Sequence, residues 1–147
     1  MSGMHVTFRD PANPAKLVHA QFATLRSHPE LKQLLADCAA ADVDENVKLR
    51  KLQIEYDRLT SAETVEEAEE AQARIMKART VADEATAELV QATRRFVVAG
   101  FTLAGSTPEQ AEELADLVDV EHVPDLKAKC LYGAGCLDFT RPAAGRN

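Results

Sequence analysis

Apolar residues recur along positions 64–99 with the spacing of one helix face. Ala68, Ala71, Ile75, Ala78, Ala82, Ala85, Leu89, Ala92, Phe96 and Ala99 keep a strict 3-4-3-4 alternation, which draws a narrow seam along a single helix. No Gly or Pro interrupts it. At about 1.5 Å per residue the segment makes a rod of roughly 50 Å, which needs a partner helix along most of its length. Most seam positions are alanine, so the partner can approach closely, while Ile75, Leu89 and Phe96 carry much of the packing at about 25 cal/mol per Å² buried. Positions 45–60 supply the partner. Leu49, Leu52, Tyr56 and Leu59 repeat there with heptad spacing, flanked by Val47 and Ile54. A short turn at 61–64, capped by Thr64 and Glu67, folds the two into an antiparallel hairpin.

Upstream, only His5, Val6, Thr7 and Phe8 have the composition to pair as a strand or lie across the bundle. Asn13 and Pro14 read as an N-cap and first helical turn, with Leu17, Val18, Phe22 and Leu25 as the buried side of a first helix. Ser27, His28, Pro29 and Glu30 combine a capping box with an early proline, starting a second helix on Leu31, Leu34, Leu35 and Cys38. The first two helices are alternatively one kinked helix. Asp42 with Glu45, or Asp44 in competition, caps the next. Beyond the seam, Phe96, Val97, Val98, Phe101 and Leu103 are apolar on more than one side, marking entry into the packed centre or a subunit interface. Gly100 and Gly105 can interrupt or end the rod. Thr107, Pro108 and Gln110 open a last helix carrying Ala111, Leu114, Ala115 and Val118, which stops near Val123 and Pro124. Positions 127–147 show no helical period, with a turn at Tyr132, Gly133, Ala134 and Gly135 and a frayed end at 142–147. The expected fold is all-α: a long antiparallel helical hairpin within a four- or five-helix bundle, a helical domain over 1–123 and an irregular C-terminal appendage over 124–147.

Composition narrows the function classes. The chain has 147 residues, five Phe, two Tyr and no Trp, which suits one domain of closely packed helices better than a deep ligand pocket. A net charge of −7, from seventeen basic and twenty-four acidic residues, argues against unspecific nucleic-acid or anionic-lipid binding. Glu63, Glu66, Glu67, Glu69 and Glu70 precede Arg94 and Arg95 along the rod, a polarity that complements the helix dipole rather than a metal. Three cysteines do not form a disulfide framework, and no charged apolar leader or 18-residue apolar run is present. No membrane association and a cytoplasmic location are therefore expected.

Cys130 and Cys136 flank Gly133 and Gly135, and a tight glycine turn can bring two thiolates together for zinc or an iron–sulfur cluster. His122 or Cys38 is a third ligand candidate, although Cys38 shares the inward stripe of Leu31 and Leu34 and reads as a buried structural thiol. Ordinary thiols without a cofactor are the simpler reading. His5, His19, His28 and His122 are far apart in sequence and read as surface or capping residues. Motifs of the nucleotide-loop, nucleophile-elbow and paired-histidine zinc types are absent.

The stretch from Leu17 to Phe96 resembles the bacterial competence and sporulation regulators of the YlbF/YmcA type. The likeness lies in an initial helix, the Ser27 to Glu30 boundary, the Leu49 to Leu59 pattern with Gln53, Glu55 and Tyr56, and a long charged helix with Arg74, Ile75, Met76 and Lys77. That resemblance implies an all-helical protein acting by association with itself or other proteins; tail cysteines linked to iron–sulfur binding would correspond to Cys130 and Cys136. The expected function is thus a non-catalytic interaction or regulatory protein that assembles with itself or another helical protein. Ile75, Leu89, Phe96, Phe101 and Leu103 are its interaction candidates. The alternative is a cysteine-based metal, iron–sulfur or redox module using Cys130, Cys136 and His122.

Overall fold

A computed structural model describes residues 3–132 and 136–139. The chain runs β1 (Gly3–Arg9), β2 (Leu17–Ala23), α1 (Pro29–Thr60), α2 (Val65–Leu103), α3 (Pro108–Leu117), a 3-10 turn (Val120–His122), α4 (Val123–Tyr132) and β3 (Cys136–Phe139). The fold is therefore predominantly helical but not all-α: a three-stranded sheet, ordered β2-β1-β3, pairs β1 antiparallel to β2 and parallel to β3.

Two sequence expectations give way here for the same reason. Positions 13–25 are not a helix; Asn13 and Pro14 sit in the hairpin loop, where the Lys16 N–H donates to the Asn13 carbonyl at 2.8 Å and Asp10 Oδ1 accepts from the Ala12 N–H at 2.9 Å. Val18, Ala20 and Phe22 then alternate with Leu17, His19 and Gln21, a period of two that prevails because β1 offers the matching alternation of Met4, Val6 and Phe8. Nor is the C-terminal stretch irregular. It forms α4, whose Leu126 and Cys130 are fully buried, and β3, whose Leu137 and Phe139 are buried. The turn expected at Gly133 to Gly135 and the end at 142–147 lie outside the described residues.

The chain divides into two compact units, Met1–Ala36 with Thr93–Asn147, and Asp37–Ala92. In the first, five phenylalanines form the core. Phe8 stacks on Phe139 with ring centroids 5.0 Å apart, and Phe22 meets Phe101 edge-on at 5.2 Å and Phe96 at 5.5 Å. Gly100 lies against the Phe22 ring: a Cβ there would stand 2.1 Å from its Cζ. Gly100 thus permits a close approach and does not interrupt α2. The helix ends instead at Gly105, whose φ of 116° only glycine adopts readily, while the Ser106 N–H returns to the Phe101 carbonyl at 3.0 Å. Arg94 on α2 reaches Glu112 and Asp116 on α3, and these hydrogen bonds, Asp116 first, push its pKa above the ordinary value. The Thr107 capping box that opens α3 forms in both directions, at 3.2 and 3.0 Å.

The second unit is the helical hairpin. Thr64 caps α2 by accepting from the Glu67 N–H at 3.1 Å, and the seam of α2 is covered: Ala71, Ile75, Ala82, Ala85, Leu89 and Ala92 are buried. On α1 the pattern departs from expectation twice. The helix continues through Asp42, with Asp44 used in an i,i+4 pair with Lys48 at 2.8 Å rather than as a cap. The stripe facing α2 is also rotated from the one expected. Leu49 is 42 % exposed, while Glu55 is buried at 8 % and is held by Arg58 and, across the hairpin, by Arg74 at 2.9 Å. A buried carboxylate is tolerable only with such partners. Arg79 donating to the Tyr56 hydroxyl at 2.7 Å adds a second cross-hairpin bond.

Candidate functional site

Cys130, Cys136 and His122 do not converge. The Cys130 thiol donates to the Ala23 carbonyl at 3.7 Å, and burial pushes its pKa up to about 11, with a backbone hydrogen bond to Leu25 opposing the shift. His122 caps its own turn, its Nδ1 accepting from the Asp119 N–H at 3.2 Å, and its ring lies 4.2 Å from that of Phe139. Phe139 and Cys136 alternate along β3 and so point to opposite faces of the sheet. Among the described residues no group of three or more His, Cys, Asp and Glu is arranged to hold a metal ion. These positions lend the iron–sulfur expectation no support: its two cysteines and the histidine occupy three different environments. Cys38 is buried, as its place on the α1 stripe implied.

At pH 8 only about one Cys130 side chain in a thousand is a thiolate, and only the thiolate reacts. Alkylation of the native protein by iodoacetamide is therefore expected to modify the exposed Cys136 first and to leave Cys38 and Cys130 unmodified until denaturant is added. Mass spectrometry of peptides over a time course checks this order. Equal labelling of all three in native buffer would contradict it.

A polar cluster that sequence spacing does not reveal occupies the sheet face opposite the phenylalanines. His5 and His19, on adjacent strands, stack at 5.5 Å. Thr7 Oγ1 lies 3.1 Å from His19 Nδ1 and 3.6 Å from Cys136 Sγ, and Gln21 Nε2 donates to His5 Nδ1 at 3.3 Å. The only available signal was the strand alternation itself, which sends residues 5, 7, 19, 21 and 136 to one side once β1 pairs with both neighbours. Chemically the cluster is a hydrogen-bonded polar face. The Cys136 thiol meets the Thr7 hydroxyl and not a histidine nitrogen, so the arrangement lacks the direct nucleophile–base bond of a catalytic pair. An open groove of about 480 Å³ between β2 and α3 is lined by Val18, Ala20, Leu114 and Leu117 with Lys16 and Gln110 among its polar residues.

The expected interaction residues lie mostly inside the chain. Phe96 and Phe101 are fully buried in the aromatic core, Ile75 and Leu89 are 8 % exposed on the covered seam, and Leu103 is half-buried. The apolar side chains left on the surface are others. Val43, Val47 and Ile54 on α1 are 62, 48 and 46 % exposed, and Val65 and Met76 on α2 are 74 and 73 % exposed. At about 100° per residue the three on α1 fall within an arc of roughly 40°, on the side away from Leu52, Glu55 and Leu59. Sequence reasoning placed Val47 and Ile54 as flanks of the buried heptad; the rotation of α1 about its axis puts them outside. Among the described residues no helix is long and apolar enough to cross a membrane. Comparison with protein-family models, with curated proteins and with solved structures finds no match for this chain.

Proposed function

We propose that this protein is a non-catalytic interaction protein whose docking element is the helical hairpin. The stripe of Val43, Val47 and Ile54 carries the reading. Single exposed apolar residues are ordinary on soluble proteins, but three large ones aligned on one helix face leave a surface that gains from burial against another helix. The association-based action implied by the resemblance to the YlbF/YmcA-type regulators goes with this reading, although the helix that begins the resemblance at Leu17 is strand β2.

A photo-reactive amino acid placed at Val47 tests it in the cells that make the protein. Discrete cross-linked species of higher mass are expected, with none from the same group at Gln91, an exposed polar position on α2. Identical patterns from the two positions would dismiss the reading.

A further inference from the structure

We propose that the occupant of the outer α1 face is a second copy of this chain, laid antiparallel along the first. The proposal rests on the interaction reading above and adds to it the identity and direction of the partner. Ala40, Val43, Val47 and Ile54 stand at the a and d positions of a heptad, with Arg50 at the one intervening core position. All four are exposed, so the helix carries a second seam behind the one that faces α2.

The flank of this second seam is what selects the partner. Asp37, Asp44, Lys51 and Arg58 recur every seven residues beside it, two acids followed by two bases. The other flank carries Ala39, Asn46, Gln53 and Thr60, none of them charged. In a parallel pair each flank faces the opposite flank of its neighbour, so the charges would face uncharged residues. In an antiparallel pair like flanks face each other. Turning one copy end for end sets Asp44 against Lys51 and Asp37 against Arg58, and the two-fold axis repeats both pairs. The two-fold axis then passes beside Val47, with Val47 and Arg50 as the central core positions and Val43 set toward Ile54 of the other copy. A helix whose own charge order is complementary to its reverse matches a second copy of itself.

The bonds that Asp44 and Arg58 make do not prevent this. The Asp44 carboxylate, paired with Lys48, keeps 48 % of its side-chain surface exposed, and Arg58, paired with Glu55, keeps 58 %. Exposed ion pairs add little affinity and mainly set orientation. The apolar contact, four small or medium side chains per copy, falls short of the roughly 800 Å² per partner of a standard interface. The dimer is therefore weak, concentration-dependent and salt-sensitive in its register.

Sedimentation equilibrium of the full chain over a wide concentration range reads the association directly. The wild type is expected to pass from monomer to dimer. Val47→Glu, at a site half open to solvent, should keep its helical circular dichroism and raise the dissociation constant about tenfold or more, a change of about 1.4 kcal/mol per factor of ten. Asp44→Lys and Lys51→Asp should each associate less than the wild type when alone. Mixed in equal amounts, they should form a heterodimer tighter than either homodimer, because Lys at 44 of one copy then faces Asp at 51 of the other, while the native Lys51 of the first faces the native Asp44 of the second. A wild type that stays monomeric throughout, or a dimer indifferent to Val47→Glu, overturns the second-copy assignment. So does a mixture of the two charge variants that associates no better than its parts, since that removes the antiparallel pairing. If cross-linking from Val47 still captures a different protein while the wild type is monomeric, the second copy is excluded and the interaction reading stands; failure of both experiments removes both.

Discussion

Gly100→Ala is expected to destabilise the protein by about 2 kcal/mol, although the same exchange in an exposed helix interior is favourable by about 1 kcal/mol. The sign is reversed by one neighbour. A methyl group at position 100 would stand 2.1 Å from Cζ of Phe22 and 2.3 Å from Cε2, well inside van der Waals contact. The ring cannot retreat, because it is itself fully buried, tilted against Phe96 and edge-on to Phe101. Overpacking of a dense core costs about 1–3 kcal/mol and occasionally more, which exceeds the helix-propensity gain. Urea unfolding of the two proteins, with the midpoint falling at unchanged slope, measures the difference. An unchanged or raised midpoint would mean that the ring has room to move.

Phe22→Ala should have the larger effect, a loss of about 3–5 kcal/mol, because the side chain joins strand β2 to the helix and leaves a cavity when removed. It also provides the control for the first variant. With the ring gone, the three atoms nearest a methyl group at position 100 are removed, so Gly100→Ala in the Phe22→Ala background should stabilise where it destabilises the wild type. The two residues touch, and coupling of this kind is what a double-mutant cycle isolates. Additive effects across the cycle would show that the Gly100 penalty arises elsewhere, within the helix backbone.

The same two residues show why the sheet was not legible. Leu17, Val18, Phe22 and Leu25 fit one side of a helix, and Val18, Ala20 and Phe22 fit one face of a strand; a single segment does not decide between the periods. The decision is made at a distance. β1 presents Met4, Val6 and Phe8 to one side, β3 adds Leu137 and Phe139 from the far end of the chain, and α2 presents Gly100 and Phe101 to the same core. Strand preference depends on these neighbours more than on the residue itself. On α1, likewise, the choice between Leu49 and Glu55 for the covered face followed from Arg74, nineteen residues further on, which gives the Glu55 carboxylate a partner when buried. Local pattern favours leucine inside; it does not register a cation arriving from another helix.

The convergence of His5, His19, Thr7 and Cys136 belongs to the same class. Nothing in the spacing of these residues joins them, since 129 positions separate Thr7 from Cys136. Strand register alone brings them onto one face.

What the sequence determined by itself was whatever depends on neighbours within a few turns of helix: the unbroken rod of α2, its alanine seam, the Thr64 and Thr107 caps and the hairpin between the two long helices. Those features rest on periodicity and on capping bonds three residues apart. The tertiary structure alone decided the three-stranded sheet, the rotation of α1 that buries Glu55 and exposes Val47, the separation of Cys130 from Cys136, and the use of Gly100 as a seat for Phe22. Each of these is a choice between two locally acceptable arrangements, settled by the free energy of burying one particular set of distant side chains together.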